Sequence, residues 1–307
     1  MTIDALVFSG GGVLGSAFTG GVTILYKTGL IEDVRKFGGT SAGAILAGIL
    51  ACRPSLEFLE ETFDRLDFNS LRDPSSVRLF RLMKFFGYYS GKRLVEWYRG
   101  VIKQLTGDGQ ITLAGVYQRY GTELAIVATN VDKRRSVVLS HRTHPDLELV
   151  QAVRMSASYP FFFEPVKYDG DLWVDGGLLN NFPIRVFDSE AGQTLGFLLV
   201  SSSDLADIVS NVDQPTRNVF KFSLAIGEML INSLLKTHVD SVDRPRVIMI
   251  DVGKLSSMNF NISTVDRAFL FEQGRVATEE YVRKIFSSTI NNVRDETNPK
   301  SVDPSPH

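Results

Sequence analysis

The 307-residue chain has few of the side chains on which many enzymes and secreted proteins depend. It has one cysteine, Cys52, which excludes an intramolecular disulfide framework and a cysteine-rich zinc site. Only four histidines are present, His141, His144, His238 and His307, so few imidazoles are available for catalysis. Lys and Arg number 33 against 35 Asp and Glu, a balance that argues against a strongly basic nucleic-acid-binding protein.

Long apolar runs are also missing. The longest runs, such as residues 44–52, fall far short of the roughly 20 residues that a membrane-spanning helix needs. The N-terminal sequence MTIDALVFSGGG has neither the basic nor the apolar region of a signal peptide. We therefore expect a soluble protein whose first strand begins at residue 3.

Short apolar runs alternate along the chain with segments of helical periodicity. This alternation predicts an α/β fold with a mostly parallel central sheet covered by helices on both faces. No linker rich in Pro, Gly or Ser divides the chain, so we expect one domain over residues 1–286 and a disordered polar tail over 287–307. Predicted strands lie at 3–8, 34–40, 124–129, 136–139, 172–174, 195–200 and 246–250; predicted helices lie at 15–30, 42–51, 56–66, 147–155, 219–235 and 264–285.

A glycine-rich loop follows the first predicted strand and opens the first helix. Its sequence is GGGVLG, in which Gly10, Gly12 and Gly15 fit the pattern G-x-G-x-x-G. Glycines let the backbone turn sharply, and the N–H groups at a helix N-terminus can bind an anion such as a phosphate or a transient oxyanion. The motif alone is also compatible with a plain strand-to-helix turn.

A second motif is Gly39-Thr40-Ser41-Ala42-Gly43, which matches G-x-S-x-G. In a nucleophile elbow the serine lies on a strained turn between a strand and a helix, with its hydroxyl exposed. The Ala42 N–H would then be placed to donate to an oxyanion. The alternative is that the serine only caps the helix that follows.

The third motif is Asp175-Gly176-Gly177, which follows a short predicted strand. Taken alone it indicates a β-turn. In combination with the other two motifs, it indicates an aspartate whose carboxylate lies close to backbone that no side chain obstructs.

The three motifs together resemble the patatin-like phospholipase family. Two further segments extend the resemblance, SASYPF at 156–161 and DGGLLNNFP at 175–183, and in all it covers about residues 3–200. One position departs from the family pattern: the loop usually carries Arg or Lys after G-G-G-x, and here that residue is Leu14.

The resemblance implies a Ser41–Asp175 dyad that cleaves fatty-acyl esters of phospholipids, a phospholipase A-type reaction, through an acyl-enzyme and without a metal or other cofactor. An aspartate base predicts that the acid limb of kcat/KM lies below the histidine range. The backbone N–H groups expected to hold the oxyanion belong to Gly11, Gly12, Val13 and Ala42.

Three alternatives remain open at this stage. An α/β-hydrolase esterase would use a Ser41–Asp175–His238 triad, whose chain order is correct. A nucleotide-binding module would use the Gly10–Gly15 loop, but Glu32 and Asp33 precede the second predicted strand instead of following it. The third alternative is a catalytically inactive scaffold, and Leu14 is the only feature that indicates it.

Residues 70–106 form a basic, aromatic segment. Between 77 and 105, seven Lys or Arg stand against one Glu, with seven aromatic side chains among them. Such a mixture suits transient contact with an anionic membrane surface, whereas the alternative is a pair of core helices with solvated cations. We therefore expect an acyl-lipid substrate, no nucleic-acid partner, and a cytoplasmic protein peripheral at a membrane, with export without a cleavable signal peptide left open; protein partners are not predicted.

Overall fold

The computed structural model describes residues 3–74, 78–188, 193–201 and 242–296, together with Phe220, Phe222 and Met229; side chains are described up to residue 285. Within these ranges, strands and helices alternate as the sequence predicts. The strands are β1 Ile3–Phe8, β2 Lys36–Thr40, β3 Gly87–Tyr89, β4 Glu123–Asn130, β5 Arg135–Leu139, β6 Phe161–Phe163, β7 Val166–Tyr168, β8 Asp171–Asp175, β9 Gln193–Val200 and β10 Val247–Asp251. The helices are α1 Ser16–Lys27, α2 Ala42–Ala51, α3 Leu56–Asp64, α4 Arg78–Phe85, α5 Lys92–Thr106, α6 Leu113–Tyr120, α7 Leu149–Ser156 and α8 Thr264–Glu296.

The central sheet has eight strands. Seven follow the order β10-β9-β1-β2-β4-β8-β7, and β5 pairs with the other edge of β4. The five strands from β10 to β4 are parallel, whereas β8, β7 and β5 are antiparallel to their neighbours. The predicted α/β fold with a mostly parallel sheet is therefore confirmed.

From Ala5 to Phe8, the side chains of β1 alternate between two hydrophobic clusters, as the period of two in a strand requires. Leu6 and Phe8 belong to the large cluster, which also contains buried side chains of α1, α2, α5, α7 and α8. Ala5 and Val7 belong to a smaller cluster on the other side of the strand, which includes Phe182 from the segment after β8. The sheet is thus buried on both sides at its centre, which is why its strands read as nearly continuous apolar runs.

The structure adds elements where the sequence predicts only a basic, aromatic segment. Helices α4 and α5 and strand β3 occupy that region, and β3 pairs with β6 in a separate two-stranded sheet. The last helix extends to Glu296 and so enters the region from 287 that was predicted to be a disordered tail. Residues 297–307, and nearly all of the helix predicted at 219–235, lie outside the described ranges. In the described part of the chain, no helix is both long and apolar enough to cross a bilayer.

Candidate active site

Strand β4 brings the predicted serine and aspartate together. Thr40, the last residue of β2, pairs with Val127, while Asp175, the last residue of β8, pairs with Ala128. Because β2 is parallel to β4 and β8 is antiparallel to it, the two strands end at consecutive positions of β4. Ser41, the residue after β2, therefore lies beside Asp175.

Ser41 occupies a strained turn between β2 and α2. Its φ of 53° and ψ of −118° are sparsely populated by residues other than glycine, and such conformations concentrate at functional sites. Its N–H donates to Oγ of Ser156 at 2.9 Å, and that hydroxyl in turn donates to the Val127 carbonyl at 2.6 Å. The Ser41 side chain makes no capping hydrogen bond to α2, so the helix-cap alternative does not describe it. The geometry is that of a nucleophile elbow.

The second glycine of the serine motif is explained by close packing. A Cβ at Gly43 would lie 2.6 Å from the Ser9 carbonyl oxygen, a contact that real side chains do not make. The first turn of α2 can therefore lie against the end of β1 only if this residue is glycine. This contact brings Ser41 close to the glycine-rich loop that follows β1.

Asp175 is buried, with 2% of its surface exposed. Its Oδ1 accepts a hydrogen bond from the Gly177 N–H at 2.8 Å, and its own N–H donates to the Ser158 carbonyl at 2.9 Å. Burial raises the pKa of Asp175 to about 6, against the opposing effects of hydrogen bonding to the Ser41 side chain and the Gly177 N–H. With a base of this pKa, we expect the acid limb of kcat/KM to lie in the ordinary range of histidine. This revises the prediction from the sequence, which put the limb below that range.

The contact between Ser41 and Asp175 is looser than a formed hydrogen bond. The Ser41 side chain is near enough to lower the pKa of Asp175, yet Oδ2 of Asp175 has no hydrogen bond of normal geometry within the described ranges. Catalytic hydrogen bonds are often long in the free enzyme and tighten when substrate binds. The unpaired buried oxygen is thus available to the Ser41 hydroxyl.

The glycine-rich loop lies against this pair. A Cβ at Gly10 would be 3.4 Å from Cβ of Ser41. Gly12, with a φ of +54°, begins a short 3₁₀ turn over Gly12–Gly15. The loop therefore lies beside Ser41. This position favours an oxyanion site over a nucleotide site.

The N–H groups of the loop are not all available. That of Val13 donates to the Ser257 carbonyl at 3.1 Å. Within the described ranges, no backbone carbonyl accepts from the N–H groups of Gly11, Gly12 or Ala42. The four donors expected from the sequence thus reduce to three. Ser257 lies outside every motif, so no sequence signal pointed to this contact.

The segment 175–183, the aspartate block, also holds the ends of two strands. The Asn180 carbonyl accepts from Oγ1 of Thr40 at 2.9 Å, and the Asn181 carbonyl accepts from the Gly10 N–H at 2.9 Å. The asparagines noted in the sequence thus act through their backbone, linking the aspartate block to both other motifs. Leu14, at the position where the family carries a cation, is buried in the hydrophobic core.

The histidines that the structure describes lie elsewhere. The ring of His141 stacks on Tyr117 with centroids 4.0 Å apart, and His144 makes an edge contact with Trp173. His238 and His307 lie outside the described ranges. Among the described residues, no group of three or more His, Cys, Asp or Glu could hold a metal ion.

The chain is similar to several known proteins in sequence and in fold. The chain is 28% identical to an uncharacterized protein of Acanthamoeba polyphaga mimivirus, over 93% of this chain and 95% of that protein. It is 24% identical to a probable lipid hydrolase of Invertebrate iridescent virus 6, over 83% of this chain and 84% of that protein. The structure of VipD from Legionella pneumophila has a similar fold, with a TM-score of 0.63 at 18% identity, over 92% of this chain and 67% of VipD.

The family profile named Patatin, patatin-like phospholipase, matches residues 6–188, more than half of the chain. This range contains the glycine-rich loop, the elbow serine and the aspartate block. The chain therefore belongs to the patatin-like phospholipase family.

Proposed function

We propose that this protein hydrolyses fatty-acyl esters of phospholipids, with Ser41 as nucleophile and Asp175 as general base. The observation that carries the proposal is the meeting of the β2 and β8 ends on β4, which puts a strained serine beside a buried carboxylate. Family membership and the resemblance to a probable lipid hydrolase support a lipid ester as the substrate.

In the first half of the reaction, Oγ of Ser41 attacks the ester carbonyl while Asp175 takes the hydroxyl proton. The carbonyl oxygen becomes an oxyanion, which the N–H groups of Gly11, Gly12 and Ala42 stabilise. When the tetrahedral intermediate collapses, the ester C–O bond breaks and the leaving lysophospholipid alkoxide receives the proton from Asp175. The product of this half is an acyl ester on Ser41.

In the second half, water attacks the acyl-enzyme and Asp175 accepts a proton from it. Collapse of the second tetrahedral intermediate releases the fatty acid and returns the proton to Oγ of Ser41. The burial of Asp175 assists both halves. A pKa of about 6 makes the carboxylate a stronger base than an exposed aspartate, yet keeps it mostly ionised near neutral pH.

The test combines covalent labelling with turnover. A fluorophosphonate probe should label the wild type, whereas Ser41→Ala should remain unlabelled and lose phospholipid hydrolysis by about 10⁶-fold in kcat. Ser70→Ala is the matched control, because Ser70 is exposed and its hydroxyl only donates to the nearby Asp67 carbonyl. Normal turnover by Ser41→Ala, or no labelling of an active wild type, would overturn the assignment; a nucleotide-binding module would ignore the probe.

A further inference from the structure

The two helices of the basic, aromatic segment differ in how they are packed. In α5, the apolar side chains Leu94, Tyr98, Val101 and Ile102 are buried in the core. In α4, only Leu82 is buried. The segment from 77 to 105 is therefore not one surface: α5 is structural, and the exposed apolar residues belong to α4.

The exposed face of α4 is strongly apolar. Leu79 and Met83, one helical turn apart on the same face, are 61% and 76% exposed. Phe80 and Phe86 beside them are each 57% exposed. Contiguous exposed apolar patches of this kind mark sites of interaction with a protein or a membrane.

Cations lie on α4 and at the neighbouring start of α5. Nζ of Lys84 lies 5.5 Å from the ring centroid of Phe80 and 5.4 Å from that of Phe85. Lys92 and Arg93 are exposed at the start of α5. They line a cavity of about 320 Å³ that also includes Arg81, which lies on α4. We call Leu79, Phe80, Met83, Phe86, Lys84, Lys92 and Arg93 the α4 surface.

Two of the nearby acids are already engaged. Asp73 accepts hydrogen bonds from the Gly91 and Arg93 N–H groups at the N-terminus of α5, at 2.7 and 3.1 Å. Glu164 forms a salt bridge with Arg81 at 2.6 Å. Glu96 lines the same cavity as Lys92 and Arg93, and the Arg93 guanidinium donates to the Ser70 carbonyl at 3.4 Å. Seven cations nevertheless stand against this one acid in segment 77–105, an excess that favours an external anion.

The two-stranded sheet β3–β6 connects the α4 surface to the segment that contacts Asp175. Gly87, which follows Phe86, pairs with Phe161 across the β3–β6 sheet. Phe161 is exposed and lies three residues after Ser158, whose carbonyl accepts from the Asp175 N–H. The chain segment that follows α4 thus pairs with the segment that continues from Ser158, the backbone partner of Asp175.

We infer that the α4 surface docks on the anionic face of a lipid bilayer. Apolar side chains flanked by Lys and Arg match such an interface, where the side chains enter the acyl boundary and the cations meet charged headgroups. The inference rests on the proposed function for its biological sense, since a lipid acyl hydrolase must reach substrate in a membrane, but its test does not depend on catalysis.

The experiment measures vesicle binding by the full chain in the Ser41→Ala background, so that no lipid is consumed. Vesicles of phosphatidylcholine, with or without about 30 mol% phosphatidylserine, provide the anionic and neutral surfaces. Leu79→Gln with Met83→Gln should weaken binding to the anionic vesicles by about tenfold or more. Lys84→Gln, Lys92→Gln and Arg93→Gln together should also weaken that binding about tenfold or more, and affect neutral vesicles less.

Matched controls change the same chemistry elsewhere. Val265→Gln alters an apolar residue that is 77% exposed at the start of α8. Lys27→Gln, Lys103→Gln and Arg134→Gln together remove three exposed cations outside the α4 surface. Both controls should bind vesicles like the parent protein. With Ser41 restored, the α4 variants should hydrolyse a water-soluble short-chain ester at the wild-type rate.

Wild-type vesicle binding by the α4 variants would overturn the docking inference. So would a parallel loss of thermal stability or a change in oligomeric state, because the face would then be covered by another segment of the chain or by a second copy. If binding depends on α4 but the active enzyme leaves phospholipid intact, the docking inference stands and the proposed function fails.

Discussion

The Ser156 hydroxyl holds the backbone of Ser41, accepting its N–H at 2.9 Å while donating to the Val127 carbonyl at 2.6 Å. One buried side chain thus ties the strained nucleophile turn to the strand that aligns the site. Ser156 itself does not touch the reacting atoms, so its role is to position Ser41.

We expect Ser156→Ala to lower kcat and to reduce the free energy of unfolding by about 1–3 kcal/mol, because it leaves the half-buried Ser41 N–H and the buried Val127 carbonyl without their side-chain partner. Thr122→Val is the matched control, since Thr122 is buried and its hydroxyl donates to the Ala51 carbonyl at 2.6 Å away from the site. Chemical denaturation and steady-state kinetics would measure both effects. Equal kcat in Ser156→Ala and Thr122→Val would show that Ser156 is merely structural.

Asp175→Asn should lower kcat by about 10²–10⁴-fold, because asparagine cannot accept the Ser41 proton. The same change should stabilise the fold at neutral pH. The folded-state pKa of Asp175 is raised from 3.8 to about 6, so the native state binds the proton more tightly than the unfolded chain. The wild-type free energy of unfolding therefore falls as the pH rises from about 4 to about 6. Asparagine does not titrate, so the variant does not lose stability in this pH range.

Denaturation of both proteins at a series of pH values would measure this linkage. The stability advantage of Asp175→Asn should grow by about 1–3 kcal/mol between about pH 4 and about pH 8. A constant difference across this range would mean that the carboxyl group is not desolvated as the structure indicates.

The dyad and the triad make opposite claims about histidine. With Asp175 as the sole base, alanine variants of His141, His144, His238 and His307 should each remain active. The acid limb of kcat/KM should lie near pH 6 in the wild type, since the pKa of Asp175 is raised to about 6, and should stay there in all four variants. A folded but inactive His238→Ala variant would instead establish the Ser41–Asp175–His238 triad.

Arg154 is buried and joins three segments around the site. Its guanidinium donates to the Ser90 carbonyl at 3.0 Å, to the Glu164 carbonyl at 2.8 Å and to Oγ of Ser158. Burial lowers the pKa of Arg154 to about 10, so the group stays charged at neutral pH.

Arg154→Met should reduce the free energy of unfolding by about 3–5 kcal/mol, because it leaves the Ser90 and Glu164 carbonyls and the buried Ser158 hydroxyl without their charged partner. Arg65→Met is the matched control, since Arg65 forms a 3.2 Å salt bridge with Glu61 and both side chains are mostly exposed. That change should cost about 0–1 kcal/mol. Urea denaturation would compare them, and similar losses in both variants would contradict the bridging role.

The sequence by itself determined the fold class and the chemical candidates. Buried strands of a parallel sheet are apolar throughout, and helices carry their own period, so the alternation was visible along the chain. The strained serine turn and the aspartate at a strand end were marked by local glycines, because only small residues fit such close backbone. These features depend on neighbours in sequence, which is why they could be predicted.

Only the tertiary structure decided how the candidates combine. The meeting of Ser41 with Asp175 depends on the antiparallel insertion of β8 beside β4, which joins residues far apart in the chain. The loss of the Val13 N–H to Ser257, and the separation of buried α5 from exposed α4, have the same origin. Long-range packing decides whether a hydrogen-bond donor is free and whether an apolar face is covered. Local sequence patterns do not encode that packing.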